Sequence, residues 1–223
     1  MLPPFESFHC GRETEARFHF VQRGLAWQAA GRAVHVWEGY SAVPMTTPDI
    51  RLVPALPEHV EVWMAMREEP VARSLMPLEP GTRESLLERL LESTSDLADP
   101  KATSFRWMVE HDGRIIGTVA ARELSRFQGR VEIGYMLSSA YHGRGLGTRA
   151  VARVLERLFE AWPFLHRVWL TTAADNRASQ GLARKLGFTL EGVMREHYLI
   201  EGRRKDQQVW GLLRSEWEAR RGG

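Results

Sequence analysis

Leu137-Ser138-Ser139-Ala140-Tyr141-His142-Gly143-Arg144-Gly145-Leu146-Gly147-Thr148 joins a strand to a helix, and its glycines decide how the chain around it is read. The strand is Arg130–Leu137. The helix begins near Gly145 and covers residues 146–160, where Leu146, Ala150, Val151, Val154, Leu155, Leu158 and Phe159 recur at helical spacing. Glycine has no Cβ, so backbone N–H groups can turn inward and approach a ligand closely. A helix N-terminus adds unpaired N–H donors and the positive end of its dipole. Together these make an anion site suited to a pyrophosphate. The loop is not a Walker A loop, because no Gly-Lys-Ser/Thr follows. Nor does it supply G-x-G-x-x-G in register, although Gly143-x-Gly145 starts one. Taken alone, it reads equally well as a strand-to-helix connection that binds nothing.

Working outward, Ile50-Arg51-Leu52-Val53-Pro54 predicts a first strand. Residues 57–67, with Val60, Trp63, Met64 and Met66, predict a helix. A second is expected over 82–92, with Thr82 as N-cap and a stripe of Leu86, Leu87, Leu90 and Leu91. Strands at 105–110 and 115–121 flank the Asp112-Gly113 turn. Downstream come a strand at 167–172, a helix at Arg177–Leu186, and strands at 188–200 and 207–213 turned at Glu201-Gly202. This order implies an α/β fold whose sheet mixes parallel and antiparallel pairs. Trp107, Trp169 and Trp210 fall on strands and read as core. Arg203-Arg204-Lys205 reads as a solvated hairpin tip, with steering of an acidic acceptor as the alternative.

Residues 1–48 have a different texture. Aromatic or β-branched runs at 17–21, 25–28 and 33–37 are punctuated by Gly24, Gly31 and Gly39, which predicts a small β-rich extension. Ser41 to Pro48 reads as a linker. Three short strands seldom stand alone, so packing on the main domain or on a second subunit is expected, and a homodimer stays open. The main domain is set at 49–217, and 218–223 is a tail.

Bulk properties narrow the function classes. The chain has 223 residues, 43% hydrophobic and 26% charged, the balance of a globular protein with a sizeable core. A formal net charge of +2 gives no field that commits it to nucleic acid. No apolar run approaches the roughly 20 residues of a membrane span. Met1 to Glu6 lacks a basic cluster leading into an apolar stretch, so no secretory signal is read and a cytoplasmic location is expected. Cys10 is the single cysteine, which excludes an intrachain disulfide and a cysteine-based zinc site. The eight histidines are scattered without H-x-x-x-H spacing, and no metal is expected.

The glycine loop resembles the acetyl-CoA pyrophosphate motif of the GNAT superfamily, R/Q-x-x-G-x-G/A. Gly145 and Gly147 match, while His142 stands where Arg or Gln is usual. The likeness continues in Val131-Glu132-Ile133-Gly134-Tyr135-Met136-Leu137, in Asn176-Arg177-Ala178-Ser179, and in Lys185-Leu186-Gly187-Phe188. Glu191-Gly192-Val193-Met194-Arg195, Asp206 and residues 210–217 are similar to the carboxyl end of the branch that holds the RimJ/RimL ribosomal-protein N-terminal acetyltransferases. The resemblance covers roughly 49–217. It implies a mainly antiparallel sheet with a splayed central strand pair, here 130–137 and 167–172, and flanking helices. It implies acetyl-CoA, with the pantetheine arm on the freed backbone near Met136 and Leu137. His142, Gly143, Arg144, Gly145, Leu146, Gly147 and Thr148 would surround the pyrophosphate, and Asn176 would contact the cofactor arm. An Asn at a helix start is equally read as a cap.

The implied reaction is direct attack of an amine on a thioester, which needs a proton acceptor and help for the departing thiolate. Glu132 is the candidate base, because a carboxylate between Val131 and Ile133 gains a raised pKa on burial; an ion-paired glutamate on a sheet face is the alternative. Many family members place a tyrosine two residues before the lysine of the K-L-G-F block. Here that residue is Ala183. Ser179 is the candidate partner of the sulfur, or else a helix-start hydroxyl satisfying backbone donors. Tyr198 is placed in the acceptor site or the core. The acceptor is read as a primary amine, foremost a protein or peptide N-terminal α-amine. A small-molecule amine such as a polyamine or antibiotic, and a non-catalytic acyl-CoA-binding regulatory module, are the competing readings.

Overall fold

The apolar stripe that starts at Leu146 does bury against a sheet. A computed structural model describes residues 50–221. The β-rich extension and linker expected at 1–48 lie outside the described residues. Among the described residues, seven strands form one sheet: β1 (Ile50–Pro54), β2 (Phe105–His111), β3 (Arg114–Ser125), β4 (Arg130–Leu137), β5 (Arg167–Ala173), β6 (Thr189–Ile200) and β7 (Arg203–Leu213). The helices are α1 (Val60–Glu68), α2 (Pro70–Leu75), α3 (Arg83–Leu91), α4 (Leu146–Ala161), α5 (Arg177–Leu186) and α6 (Arg214–Arg221). The strand order is β1-β2-β3-β4-β5-β7-β6. Neighbours are antiparallel throughout except for β4 and β5. This is the mixed, mainly antiparallel α/β sheet that the element order implies.

Both faces of the sheet are covered around β2 to β4, which explains the nearly unbroken burial of β3 from Ile116 to Ala121. On one face, Leu146, Val151, Val154, Leu155 and Leu158 of α4 pack with Phe105, Trp107, Val119, Val131, Val168 and Leu170. On the other, Trp63 and Met66 of α1, Ala72 of α2, and Leu86 and Leu90 of α3 close over Met108 and Met136. Trp107 and Trp210 are core, as expected. Trp169 is not. It is only half-buried, because the two-residue period of β5 sends Val168 and Leu170 to the α4 face and Trp169 to the other.

Two helices escape the sequence pattern. Pro70 forces Glu69 out of helical geometry, to φ −60° and ψ 135°, and so separates the six-residue α2 from α1. Such a short segment shows no period. α6 begins with no turn after β7 and runs to Arg221, past the domain boundary set at 217. Its first residue, Arg214, folds back under α4. The guanidinium donates to Phe159 O at 3.1 Å, Trp162 O at 2.7 Å and Leu165 O at 2.8 Å. These carbonyls belong to the end of α4 and the turn behind it, where intrahelical partners run out. A cation there also suits the helix dipole.

Arg214→Met should therefore lower the unfolding free energy by roughly 2–3 kcal/mol, since carbonyls deprived of a charged donor lose their partner. Urea denaturation reads this directly. A loss under about 0.5 kcal/mol, the size of an ordinary surface change, would contradict the capping role.

Candidate acetyl-transfer site

The parallel contact between β4 and β5 is short. Among the described residues it consists of Arg130 with Arg167, Val131 with Val168, and Glu132 with Trp169. Beyond Glu132 the strands part: β4 continues to Leu137 beside β3, and β5 to Ala173 beside β7. Ser138 N–H donates to Ile116 O at 2.8 Å. Counting back from that bond, antiparallel alternation turns the backbone groups of Met136 and Gly134 to β3, and those of Leu137 and Tyr135 to the gap. Met136 itself is buried under α1 and α3. The gap thus offers backbone donors and acceptors to an extended ligand, as an unpaired strand edge does.

The glycine loop lies at the wide end of this gap. Gly143 has φ +74° and Gly145, the residue before α4, has φ +75°, conformations that favour glycine. A Cβ at either would meet no atom within 4 Å, so the loop faces open space. Leu146 is fully buried and pins the helix start to the core. Gly147 and Thr148, in the first turn of α4, are half-buried. The Arg144 guanidinium sits 5.5 Å from the Tyr141 ring centroid. His142 Nε2 lies 3.0 Å from Leu137 O; the carbonyl only accepts, so this nitrogen donates. His142 therefore ties the loop back to the last residue of β4.

Glu69 was not singled out from the sequence. The break before Pro70 aims its carboxylate at this loop, where Oε2 accepts from Ser139 N at 2.6 Å. Burial alone would raise its pKa, but hydrogen bonds from Ser139 and Ser138 outweigh burial and, with His142 nearby, hold it below the usual carboxylate range.

Ser179 is brought to the gap by α5. Asn176 precedes that helix, and its Oδ1 accepts from Ser179 N at 3.1 Å, the bond of an N-cap. The Ser179 hydroxyl does not serve the helix. It lies 2.6 Å from the Tyr135 hydroxyl. Burial pushes the Tyr135 phenol up to about 12, so it stays protonated and can share a proton with Ser179. Tyr135 was quoted in the sequence only as part of a strand. No local pattern reveals a contact across 44 positions.

Glu132 faces the opposite side of the sheet and is 8% exposed. Its Oε2 is 3.4 Å from Arg122 Nη2, on the neighbouring position of β3. Burial raises its pKa, against the pull of Arg122 and with a push from Glu123. Beside it, the Tyr198 hydroxyl donates to Thr171 Oγ1 at 2.6 Å. Tyr198 reaches this face from β6, where the register with β7 shifts between Met194 and Tyr198, and Asp206 Oδ1 accepts from Glu196 N at 2.8 Å inside that shift. Lys205 is no simple solvated charge. Its ammonium donates to Asp175 Oδ2 at 2.6 Å and Ser74 O at 2.8 Å, binding the hairpin to α2 and to the turn before α5.

The arrangement has a cleft between two strands, a glycine cradle at one end, and a hydroxyl pair and a carboxylate on opposite sides. The family model for the acetyltransferase (GNAT) domain matches residues 49–189. YdaF of Bacillus subtilis (strain 168) is 30% identical over 108 residues, 48% of this chain and 58% of that protein. The spermidine N(1)-acetyltransferase of Escherichia coli (strain K12) is 28% identical over 162 residues, 71% of this chain and 77% of the other. Among solved structures, Mycobacterium smegmatis RimJ in complex with CoA-disulfide has a TM-score of 0.67 at 20% identity, over 76% of this chain and 84% of that one. Gly145→Ala, which forces a side chain into φ +75°, should weaken acetyl-CoA binding at least about tenfold in a protein that still folds. Unchanged affinity by calorimetry would refute the loop assignment. The chain belongs to the GNAT acetyltransferase family and is an acetyl-CoA-dependent N-acetyltransferase.

Proposed function

We propose that the acceptor is the α-amine of a protein or peptide N-terminus, with Glu132 as general base. The observation that carries this reading is the state of Glu132: buried, raised in pKa, and on a sheet face beside the gap. An α-amine has a pKa of about 8, against about 10 for an alkylamine such as a lysine side chain, so much of it is already neutral near physiological pH. A carboxylate raised chiefly by burial suits taking one proton from the fraction that is still ammonium. Support also comes from a 27% identical stretch of 85 residues shared with an Escherichia coli enzyme named for the alanine of ribosomal protein uS5. The spermidine enzyme among the relatives makes a polyamine acceptor the second reading.

Bound acetyl-CoA supplies the activated acetyl group. The protein's part is then division of labour across the sheet. The gap-facing backbone of Tyr135 and Leu137 aligns the extended arm, and the glycine cradle with Gly143 to Thr148 holds the pyrophosphate. Asn176 shapes the start of α5 so that Ser179 points into the gap. Ser179, backed by the Tyr135 phenol, donates a hydrogen bond to the departing sulfur. Glu132 accepts the proton of the incoming amine, while Thr171 and Tyr198 line the same face.

Glu132 works only as the carboxylate, so rate is present above its pKa and lost as pH falls through it. Because burial raises that pKa, the acid limb of kcat/KM should lie above the usual carboxylate range. Glu132→Gln should cut turnover roughly a hundredfold or more and erase that limb, with acetyl-CoA affinity nearly unchanged. A variant with wild-type rates across the pH range would remove Glu132 as the base.

A further inference from the structure

The face that carries Glu132 also carries an arginine cluster, of which only Arg122 touches the transfer chemistry, through its contact with Glu132. A cleft of about 400 Å³ is lined by Arg67, Arg89, Arg106 and Arg122, with Glu79 and Glu92 at its edge. Arg106 is 9% exposed, and its Nε is buried without a hydrogen-bond partner. Its Nη1 lies 3.4 Å from Thr118 Oγ1, and its guanidinium lies over the Trp63 ring at 4.3 Å. Arg67, also buried, donates to Glu79 O at 2.6 Å, while Arg89 meets the Glu79 carboxylate at 3.1 Å. Arg122 reaches Glu132 at 3.4 Å. Four cations thus share two carboxylates at the rim and one in the site. Burial, together with the repulsion of Arg122, Arg89 and Arg67, lowers the Arg106 pKa to about 10. A buried guanidinium with an orphan donor and three like charges around it lacks an anion.

Its position fixes where that anion sits. Register places Arg106 opposite Ala120, and Ala120 opposite Gly134, two residues beyond the last β4–β5 pair at Glu132. Arg122 spans part of the distance. A Cβ on Gly134 would lie 2.9 Å from Arg122 Nη2, so the guanidinium is laid across β4 at the mouth of the gap. Two strand spacings, about 10 Å, separate Arg106 from the strand where the amine reacts. An extended peptide advances about 3.3–3.6 Å per residue. A side-chain carboxylate on the second or third residue spans that distance.

We propose that the arginine cleft selects acceptors with an acidic side chain at the second or third residue, held by Arg106 and Arg122 with Arg89 at the rim. This rests on the reading of the protein as an N-terminal acetyltransferase and names its substrate class. It sets the chain apart from an acetyltransferase for polyamines, whose charges this cleft repels. Bidentate and charge-assisted bonds from arginine to carboxylate supply the selectivity.

The test is thiol release from acetyl-CoA with three peptides of equal length beginning Ala-Asp-Glu, Ala-Gln-Gln and Ala-Lys-Lys, and with spermidine. The acidic peptide should exceed the basic one in kcat/KM by about a hundredfold and the neutral one by about tenfold, with the advantage shrinking as salt rises. Arg106→Gln and Arg89→Gln should each compress the acidic-to-neutral ratio while leaving the neutral peptide's rate nearly unchanged. Arg89 is exposed, so its variant carries the test if Arg106→Gln fails to fold. Equal rates on the three peptides, a faster basic peptide, or an acidic preference untouched in Arg89→Gln would overturn the cleft's role while N-terminal acetylation stands. Turnover of spermidine but of no peptide would overturn both readings.

Discussion

Everything in the site depends on where β4 and β5 stop pairing. Three residue pairs hold them together, and the next turn of strand leaves Tyr135 and Leu137 with backbone groups directed at a gap. In a sheet buried on both faces, unpaired peptide groups are costly unless something meets them. The chain meets some of the cost itself: His142 donates to Leu137 O from the far side of the loop. What remains is a strand edge inside a folded domain, open to a ligand that can behave as a strand.

The two sides of the sheet then serve different chemistry. Below the gap, α4 and α5 present their N-termini beside the glycine loop and the Ser179–Tyr135 pair, surroundings that favour negative charge; in the proposed reaction that charge is on phosphate and sulfur. Above it, α1 to α3 cover only part of the sheet; Arg67, Arg89, Arg106 and Arg122 line a cleft there, and Glu132, Thr171 and Tyr198 share the same face. In the proposed reaction, the carboxylate that takes the amine's proton and the guanidiniums that hold its neighbouring side chain lie on one surface. The pairing of Arg122 with Glu132 couples them, so acceptor charge and base strength are not independent.

Much of this was legible in the sequence because it is local. The α4 stripe, the Asp112-Gly113 and Glu201-Gly202 turns, and the glycine loop each depend on residues within a few positions of one another. The splayed strand pair followed from resemblance, and the pairing bears it out. What stayed hidden depends on distant contacts. Arg106 read as a strand residue and Arg122 lay just past the strand expected at 115–121, and only register brings them to one cleft. Ser179 read equally as a partner of the sulfur or a helix-start hydroxyl, and only the contact of its hydroxyl with Tyr135, on another element, turns it away from the helix. Trp169 was misplaced because an aromatic residue in a short, largely apolar run does not show which face of the strand it takes. α2 was too short for a period, and α6 followed a strand without a breaker.

The most direct test of the gap is amide hydrogen exchange at Tyr135 and Leu137, with and without acetyl-CoA. If the freed edge of β4 receives the pantetheine arm, these two amides should slow on binding by at least about tenfold, while Met136, already paired to β3, changes little. Slowing at Met136 alone, or no slowing at Tyr135 and Leu137 in a protein saturated with acetyl-CoA, would contradict the account.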